Sequence, residues 1–192
     1  MRKLILASTS PFRQQILRKL NIDFDTAAPN INEDRLNNET PQQLVSRLSE
    51  AKAKAVADQF PDALIIGSDQ VAVLGNDILG KPLDHENARQ QLSRASGQKI
   101  TFYTGLCLFN SATGKSQVTC VPFNVYFRNL RDDQIEHYLH TEQPYNCAGS
   151  FKSEGYGISL FEKLEGDDPN TLIGLPLIEL IRLLSNEGIE IP

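Results

Sequence analysis

Short apolar runs alternate with amphipathic stretches in the first third of the chain, a pattern that predicts strands followed by helices. Lys3–Ala7 is an apolar run of strand length. Ser10 stands directly before a proline, which predicts a helix with a serine N-cap and proline at its first position. Thr40 and Gln43 have the spacing of a capping box, and apolar residues at helical spacing extend that second helix to about residue 58.

The middle of the chain predicts a central strand, a turn and a third helix. The apolar run 63–67 is consistent with a buried strand that ends in the polar triplet Ser68-Asp69-Gln70. Gly75-Asn76 lies between two apolar stretches and predicts a turn. Asp84 has the position of an N-cap for a helix to about residue 94.

Longer strands dominate the second half. The stretches 100–109 and 116–127 are rich in aromatic and β-branched residues around Thr113-Gly114, which predicts a hairpin. We expect a short helix over 131–140, a strand over 157–164 and a closing helix over 176–185. Early alternation of strands and helices, followed by antiparallel strands, predicts an α/β fold with a mixed β-sheet and flanking helices.

Charge and composition indicate which kinds of binding partner the protein is expected to have. The chain has 192 residues, with 19 Lys and Arg against 24 Asp and Glu, and a net charge of −5. Because a basic excess is lacking, we expect no nucleic acid polymer as the main partner, whereas a small basic pocket for a nucleotide is compatible with this charge. No apolar run approaches the ~20 residues of a membrane span. Three cysteines without a C-x-x-C pair indicate neither a disulfide framework nor a zinc site, and we therefore expect a cytoplasmic protein. From the chain length and the short apolar runs we expect a single domain over 1–192 and no membrane partner.

The turn between the first strand and the first helix carries candidate anion ligands. Ser8 and Ser10 supply hydroxyls, and Arg13 supplies a guanidinium in the first helical turn. A helix start presents unpaired N–H groups to an anion, and a cation there is slightly unfavourable unless an anion also binds. The alternative is an ordinary Ser-Pro cap with a solvent-facing arginine.

Four further charged residues are candidates that no single motif identifies. Asp69 follows an apolar run, at a place where α/β folds project ligand-binding side chains, although an aspartate there could equally begin a turn. Glu33 lies in an acidic loop, Lys52 on the second predicted helix, and Lys81 between a glycine and a proline. Each of these three alone is typical of a solvated surface charge.

The three histidines do not form a recognised zinc motif. His137 and His140 lie three apart on a predicted helix and could face the same way. Zinc would need further ligands, and His85 is the remaining histidine. We therefore interpret His137 and His140 as a surface pair.

Taken in chain order, the candidate segments resemble the Maf family over nearly the whole chain. The matching positions are 8–13, Glu33, Lys52, 67–70, 80–82, 96–97, 104–105, Asn170 and 174–176. Maf proteins are nucleoside triphosphate pyrophosphatases, which cleave the α–β phosphoanhydride. The resemblance implies an α/β fold with two lobes around a nucleotide-binding cleft, a nucleoside triphosphate substrate, and a divalent cation, with Mg²⁺ or Mn²⁺ expected.

Three positions indicate which branch of the family the chain resembles. Phe12, Gln70 and Glu154 stand where the branch acting on dTTP and UTP has arginine, threonine and glutamine. They are instead similar to the branch acting on 7-methyl-GTP, as is the stretch 149–155. The resemblance therefore implies that these three residues select the base. The alternative is that Phe12 is a core residue and Glu154 a solvated loop charge.

The resemblance also implies roles for the charged residues. Asp69 would accept the proton of the attacking water, and Glu33 would help to hold the metal. Many family members carry two arginines in the first loop where this chain has one, so lysines elsewhere are expected to complete the phosphate contacts. The expected phosphate-binding residues are Ser8, Ser10, Arg13, Lys52 and Lys81.

Two other functions stay open from the sequence. One is a dTTP/UTP pyrophosphatase, and the other is a nucleotide-binding regulator of cell division without turnover. Glu33 and Asp69 beside the basic residues favour an enzyme, since binding alone requires no water-activating carboxylate. The sequence leaves the oligomeric state open, including a homodimer.

Overall fold

The computed structural model describes residues 2–192, which fall into two compact units. The first unit holds the chain up to Gln70, together with Thr104–Val121 and Asp168–Pro192. The second unit holds Val71–Tyr103 and Pro122–Asp167. The chain passes from one unit to the other within three of its strands.

Within residues 2–192 the strands form a seven-stranded mixed sheet. They are β1 (Lys3–Ala7), β2 (Asp25–Ala27), β3 (Ala63–Leu74), β4 (Asp77–Leu79), β5 (Lys99–Asn110), β6 (Lys115–Phe127) and β7 (Phe161–Glu165). Their order is β2-β1-β3-β5-β6-β7, with β4 paired to β3. β1 runs parallel to both β2 and β3, whereas the β3–β4 and β6–β7 pairs are antiparallel. The expected mixed α/β sheet is confirmed.

The helices follow the capping signals of the sequence closely. They are α1 (Pro11–Leu17), α2 (Pro41–Ala55), α3 (His85–Ala95), α4 (Asp132–Glu142), α5 (Asn170–Ile173) and α6 (Leu177–Asn186). Ser10 caps α1, Asp84 caps α3, and Thr40 and Gln43 form the capping box of α2. Among residues 2–192, none of the helices has the length and apolarity needed to cross a membrane.

The core of the first unit explains why β1 is apolar at successive positions. Leu4 and Leu6 pack in a cluster with residues of α1 and α6, while Ile5 and Ala7 pack in a second cluster that includes Ala53 of α2. A parallel strand covered on both faces buries every side chain, which produces a continuous apolar run rather than an alternating one.

The core of the second unit is aromatic. Phe127, Phe151 and Phe161 contact one another edge to face with ring centroids 4.9–5.5 Å apart, and Phe102 adds a further edge contact to Phe151. These four rings are nearly fully buried. Edge-to-face pairs of this spacing stabilise a core beyond the area that they bury.

Helix α2 lies directly against the sheet at two glycines. A Cβ on Gly67 of β3 would stand 2.0 Å from the carbonyl oxygen of Ser49, and a Cβ on Gly105 of β5 would stand 2.1 Å from that of Val45. Any side chain at either position would therefore overlap the α2 backbone. This approach fixes the distance between α2 and the middle of β3.

Two sequence expectations about strands are wrong. β3 does not end at Ser68-Asp69-Gln70 but continues to Leu74, so Asp69 lies inside the strand rather than at its end. The polar triplet stays in the strand because each of its side chains has a partner from elsewhere in the first unit. The expected strand 157–164 is also shorter, because Tyr156–Leu160 form a 3-10 helix and β7 begins at Phe161.

The glycine contacts lead to a stability prediction. Gly67→Ala or Gly105→Ala should lower the free energy of unfolding by about 1–3 kcal/mol or more, because the added methyl must push α2 off the sheet. Gly80→Ala is the matched control, since a Cβ there meets no atom within 4 Å, and it should change stability by less than about 0.5 kcal/mol. Urea unfolding of the three variants measures the difference, and equal stabilities would contradict this packing.

Candidate active site

A buried lysine joins two acidic residues at the centre of the first unit. Lys52 of α2 places its Nζ 2.7 Å from Asp69 Oδ1 and 3.1 Å from Glu33 Oε2. The Lys52 and Asp69 side chains are 8% and 10% exposed, whereas Glu33 is 55% exposed. A buried ammonium requires opposite charge close by, and these two carboxylates provide it. Sequence candidates separated by up to 36 positions in the chain therefore form one cluster.

The loop that carries Glu33 is held against α2 by an arginine. Arg47 donates to both carboxylate oxygens of Glu39, at 2.6 and 2.9 Å, and to the carbonyl oxygen of Asp34 at 3.0 Å. Glu39 also accepts a hydrogen bond from the Leu36 N–H at 3.0 Å. The hydrogen bonds from Arg47 outweigh burial and hold the pKa of Glu39 at about 2. Glu33 therefore lies on a loop anchored through charged hydrogen bonds.

The turn before α1 is built as a serine cap, but its arginine does not face solvent. Ser10 Oγ accepts from the Arg13 N–H at 3.4 Å, and Ser8 Oγ accepts from the Ser10 N–H at 3.1 Å. Arg13 is half-buried, and its Nε donates to the carbonyl oxygen of Gly174 at 2.9 Å. The alternative of a solvent-facing arginine is therefore wrong.

Electrostatics links Arg13 to the same cluster. Burial lowers the pKa of Arg13, while the carboxylates of Asp69 and Glu33 raise it. With Lys52, two cationic and two anionic side chains balance one another. Both positive charges are therefore compensated by carboxylates before a polyanion binds.

Gln70 is fixed by its amide nitrogen. Its Nε2 donates to Thr104 Oγ1 and to the Thr171 carbonyl oxygen, both at 2.8 Å. Because two donors are used in this way, Oε1 is the atom through which Gln70 can contact a ligand. The neighbouring Ser68 donates to the Gly174 carbonyl oxygen at 2.9 Å, so the C-terminal segment is tied to β3 at both positions.

The remaining sequence candidates lie in different settings. Phe12 is 39% exposed, so the alternative that it is a core residue is wrong. Lys81 and Glu154 belong to the second unit and are exposed there, and Glu154 accepts a hydrogen bond from the neighbouring Ser153. Their roles in phosphate and base recognition stay predictions.

The donor set of the first unit fits a hard divalent cation. Glu33 offers an exposed carboxylate whose Oε2 contacts Lys52, which leaves Oε1 for a metal. Mg²⁺ and Mn²⁺ favour carboxylate and phosphate oxygens, and Mg²⁺ commonly completes its shell with water and substrate phosphates rather than with protein ligands. The residues present thus fit an ion that is bound together with a nucleotide.

Comparison with known proteins identifies the family. Residues 3–187 match the Maf-like protein family. The chain belongs to the Maf family. It is 60% identical over 189 residues to the 7-methyl-GTP pyrophosphatase of Alcanivorax borkumensis, covering 98% of this chain and 96% of that protein. It is 59% identical to the protein of the same name from Pseudoalteromonas translucida, covering 98% and 93%, and 58% identical to that from Colwellia psychrerythraea, covering 100% and 96%.

Two solved structures are similar to this Maf chain in fold. A HAM1 protein from Coxiella burnetii matches with a TM-score of 0.54 and 13% identity over 97% of this chain and all of its own. The Ham1 protein of Staphylococcus aureus matches with a TM-score of 0.56 and 9% identity over 98% of this chain and all of its own. At such low identity the match shows a shared fold alone.

Sequence reasoning missed the two residues that anchor the Glu33 loop. Glu39 directly precedes the capping Thr40, and Arg47 lies eight positions after Glu39, about two helical turns along α2. An acidic residue before a helix with a basic residue on the same face is the available signal. It is weak, because such pairs are also common on exposed helix faces.

The depressed pKa of Glu39 predicts an acid-dependent stability difference in this Maf chain. A carboxylate with a lowered folded-state pKa stabilises the protein above its unfolded value of about 4.3, and this contribution is lost as the pH falls towards about 2. Glu39→Gln should therefore be less stable than the parent at pH 6, with the gap closing between about pH 4.5 and 2.

Urea unfolding at several pH values measures that gap. Glu162→Gln, at an exposed position on β7, serves as the control and should follow the parent. If the parent and Glu39→Gln curves run parallel from pH 6 to pH 3, the Glu39–Arg47 pair does not anchor the loop as described.

Proposed function

We propose that this chain is a nucleoside triphosphate pyrophosphatase that hydrolyses 7-methyl-GTP to 7-methyl-GMP and pyrophosphate and so removes a modified nucleotide from the pool. The observation that carries the proposal is 58–60% identity, over 98–100% of the chain, to three proteins named 7-methyl-GTP pyrophosphatase. The cluster of Arg13, Glu33, Lys52 and Asp69 supports it, because it combines the charges needed to bind a triphosphate with a carboxylate able to activate water.

Asp69 is the proposed general base. Hydrolysis at the α-phosphorus needs a water held in line, and positioning and electrostatics supply most of the catalysis in phosphoryl transfer. Lys52 engages Asp69 through Oδ1, which leaves Oδ2 to accept the proton of the water. In this arrangement Lys52 orients the carboxylate as well as adding positive charge near the phosphates.

The phosphate chain is proposed to bind along the turn before α1. The Arg13 guanidinium uses Nε for the Gly174 carbonyl oxygen and retains its two terminal nitrogens for phosphate oxygens. Ser8, Ser10, Lys52 and Lys81 are the other proposed contacts. A divalent cation, Mg²⁺ or Mn²⁺, would be held by Glu33 together with the phosphates and would neutralise charge on the phosphoryl oxygens.

Base selection is proposed to depend on Phe12, Gln70 and Glu154. Methylation at N7 gives the guanine ring a formal positive charge, which an aromatic face attracts by about 0.5–2 kcal/mol. The exposed ring of Phe12 is available for this contact. Glu154 would attract the same charge, and the Gln70 Oε1 would accept a hydrogen bond from the guanine edge.

A substrate panel tests the proposed function. We expect pyrophosphate release from 7-methyl-GTP with higher kcat/KM than from GTP, dTTP, UTP or CTP. Asp69→Asn should lower kcat at least about a hundredfold, because it removes the proton acceptor while keeping the size of the side chain. Calorimetric binding of 7-methyl-GTP to Asp69→Asn separates lost chemistry from lost binding.

Each other outcome points to a different function. Preference for dTTP or UTP would indicate a pyrimidine triphosphate pyrophosphatase. Tight binding without any pyrophosphate release by the parent protein would indicate a nucleotide-binding regulator. Near-normal turnover by a folded Asp69→Asn variant would remove Asp69 from the role of base.

Substitutions at Phe12 and Glu154 test the proposed selection of the base. Phe12→Ala should reduce the ratio of kcat/KM for 7-methyl-GTP over GTP by up to about thirtyfold, since 1.4 kcal/mol is a factor of ten. Glu154→Gln should reduce the same ratio while sparing hydrolysis of GTP. Gln15→Ala, exposed on the same helix as Phe12, and Glu162→Gln are matched controls. An unchanged ratio in both test variants would show that Phe12 and Glu154 do not select the base.

A further inference from the structure

Three side chains of the second unit converge on one point although the proposed reaction uses none of them. His85 is the first residue of α3, and Glu136 and His140 lie one turn apart on α4. His85 Nε2 is 2.9 Å from Glu136 Oε2, and His140 Nε2 is 3.7 Å from the same oxygen. One ligand atom from each residue lies within 4.8 Å of the other two.

These distances suit a first-row transition metal. Two ligand atoms bonded at about 2.0–2.1 Å to a tetrahedral ion lie about 3.3 Å apart. The two separations from Glu136 Oε2 bracket this value, and the third pair of ligand atoms lies within 4.8 Å, so the three donors are close enough to share one ion after the side chains rotate. Two imidazoles and one carboxylate are a donor set that suits zinc, and the exposed side of His140 leaves a fourth position for water.

A neighbouring hydroxyl orients the first histidine for this role. His85 Nδ1 lies 3.0 Å from Tyr145 Oη. Without a cation, the Nε2–H of His85 can donate to Glu136; with a cation on Nε2, the hydrogen would lie on Nδ1 and be donated to Tyr145. Ligating histidines in metalloproteins are characteristically held by such a second hydrogen bond. The Tyr145 backbone is fixed in turn, because its carbonyl oxygen accepts from the Leu83 N–H at 2.9 Å.

The surrounding charge also favours a cation. Arg89 lies beside the cluster, with its Nε 4.0 Å from Glu136 Oε1, but its two closer hydrogen bonds, both 3.3 Å, go to Glu86. Glu86 in the first turn of α3 and Asp132 in the first turn of α4 add negative charge to that of Glu136.

His137 and His140 are both exposed, as the interpretation of a surface pair expects, but they contact different residues. His137 contacts Tyr156 edge to face, with ring centroids 6.0 Å apart. His140 instead approaches His85, with ring centroids 5.0 Å apart. The further ligands that zinc requires are thus supplied by a different helix and by the carboxylate one turn earlier on α4.

We propose that His85, Glu136 and His140 form a binding site for a transition-metal cation of the zinc class, which links the start of α3 to α4. The site is separate from the proposed role of Glu33, since imidazoles favour zinc-like ions whereas a lone carboxylate with phosphates favours magnesium. It does not depend on the proposed catalytic activity.

Zinc titration of the metal-free 192-residue chain tests the site. We expect one saturable Zn²⁺ per chain by calorimetry, unaffected by millimolar Mg²⁺, and a rise in melting temperature on saturation. His140→Ala should weaken this binding at least about tenfold, since it removes one of three protein ligands. His137→Ala is the matched control, because it removes a histidine from the same helix and should bind Zn²⁺ as the parent does.

A second measurement reports the coordination geometry in variants that are confirmed to be folded. Co²⁺ bound in place of Zn²⁺ should give the visible absorption of a tetrahedral site in the parent and in His137→Ala, and this absorption should be lost in His140→Ala and His85→Gln. Equal Zn²⁺ affinity in the parent and His140→Ala would overturn the proposal. So would the absence of saturable binding in the parent, which would leave the three side chains as a hydrogen-bonded cluster without a metal.

Discussion

The close approach of α2 to the sheet is the constraint on which the candidate active site depends. Gly67 and Gly105 lack the Cβ atoms that would otherwise stand about 2 Å from helix carbonyl oxygens. Because the helix backbone rests on the strands, a lysine on its inner face can reach an aspartate inside β3. The 2.7 Å contact between Lys52 and Asp69 is a consequence of this packing.

Burial of the Lys52–Asp69 contact has a desolvation cost that other charged residues of the first unit offset. An ammonium and a carboxylate removed from water need compensating partners, and the loss of one leaves the other uncompensated. Glu33 supplies a second negative charge from a loop that Arg47 and Glu39 anchor to α2. Since Glu33 is the more exposed carboxylate, it is the partner that can be shared with a ligand while Asp69 stays in place.

Local signals allowed much of the fold to be predicted. The caps of α1, α2 and α3 and the bounds of β1, β5 and β6 depend on residues close together in sequence, and each agrees with the structure to within about two residues. The continuation of β3 past Asp69 could not be predicted in this way. Its polar side chains are satisfied by Lys52, Thr104 and Gly174, which are distant in the chain.

The candidate site also combines features that the sequence predicted with features that depend on contacts between residues distant in the chain. The resemblance to the Maf family identified the candidate residues. Their contacts with one another and with the rest of the chain, such as that of Arg13 with Gly174, could not be predicted from sequence spacing. The histidine cluster was missed for the same reason. His85 lies 51 positions before Glu136, and only the packing of α3 against α4 brings them together.

The 2.7 Å contact implies that Lys52 and Asp69 act together in hydrolysis, and a double-mutant cycle on kcat/KM for pyrophosphate release measures the coupling between them. Lys52→Met, Asp69→Asn and the double variant would be compared with the parent, each after confirming that it is folded. If Lys52 acts in part by holding Asp69, the loss in the double variant should be clearly smaller than the product of the two single losses, because residues that work as a unit are not additive. Losses that multiply fully would show that the two side chains contribute independently and that the contact between them has no part in hydrolysis.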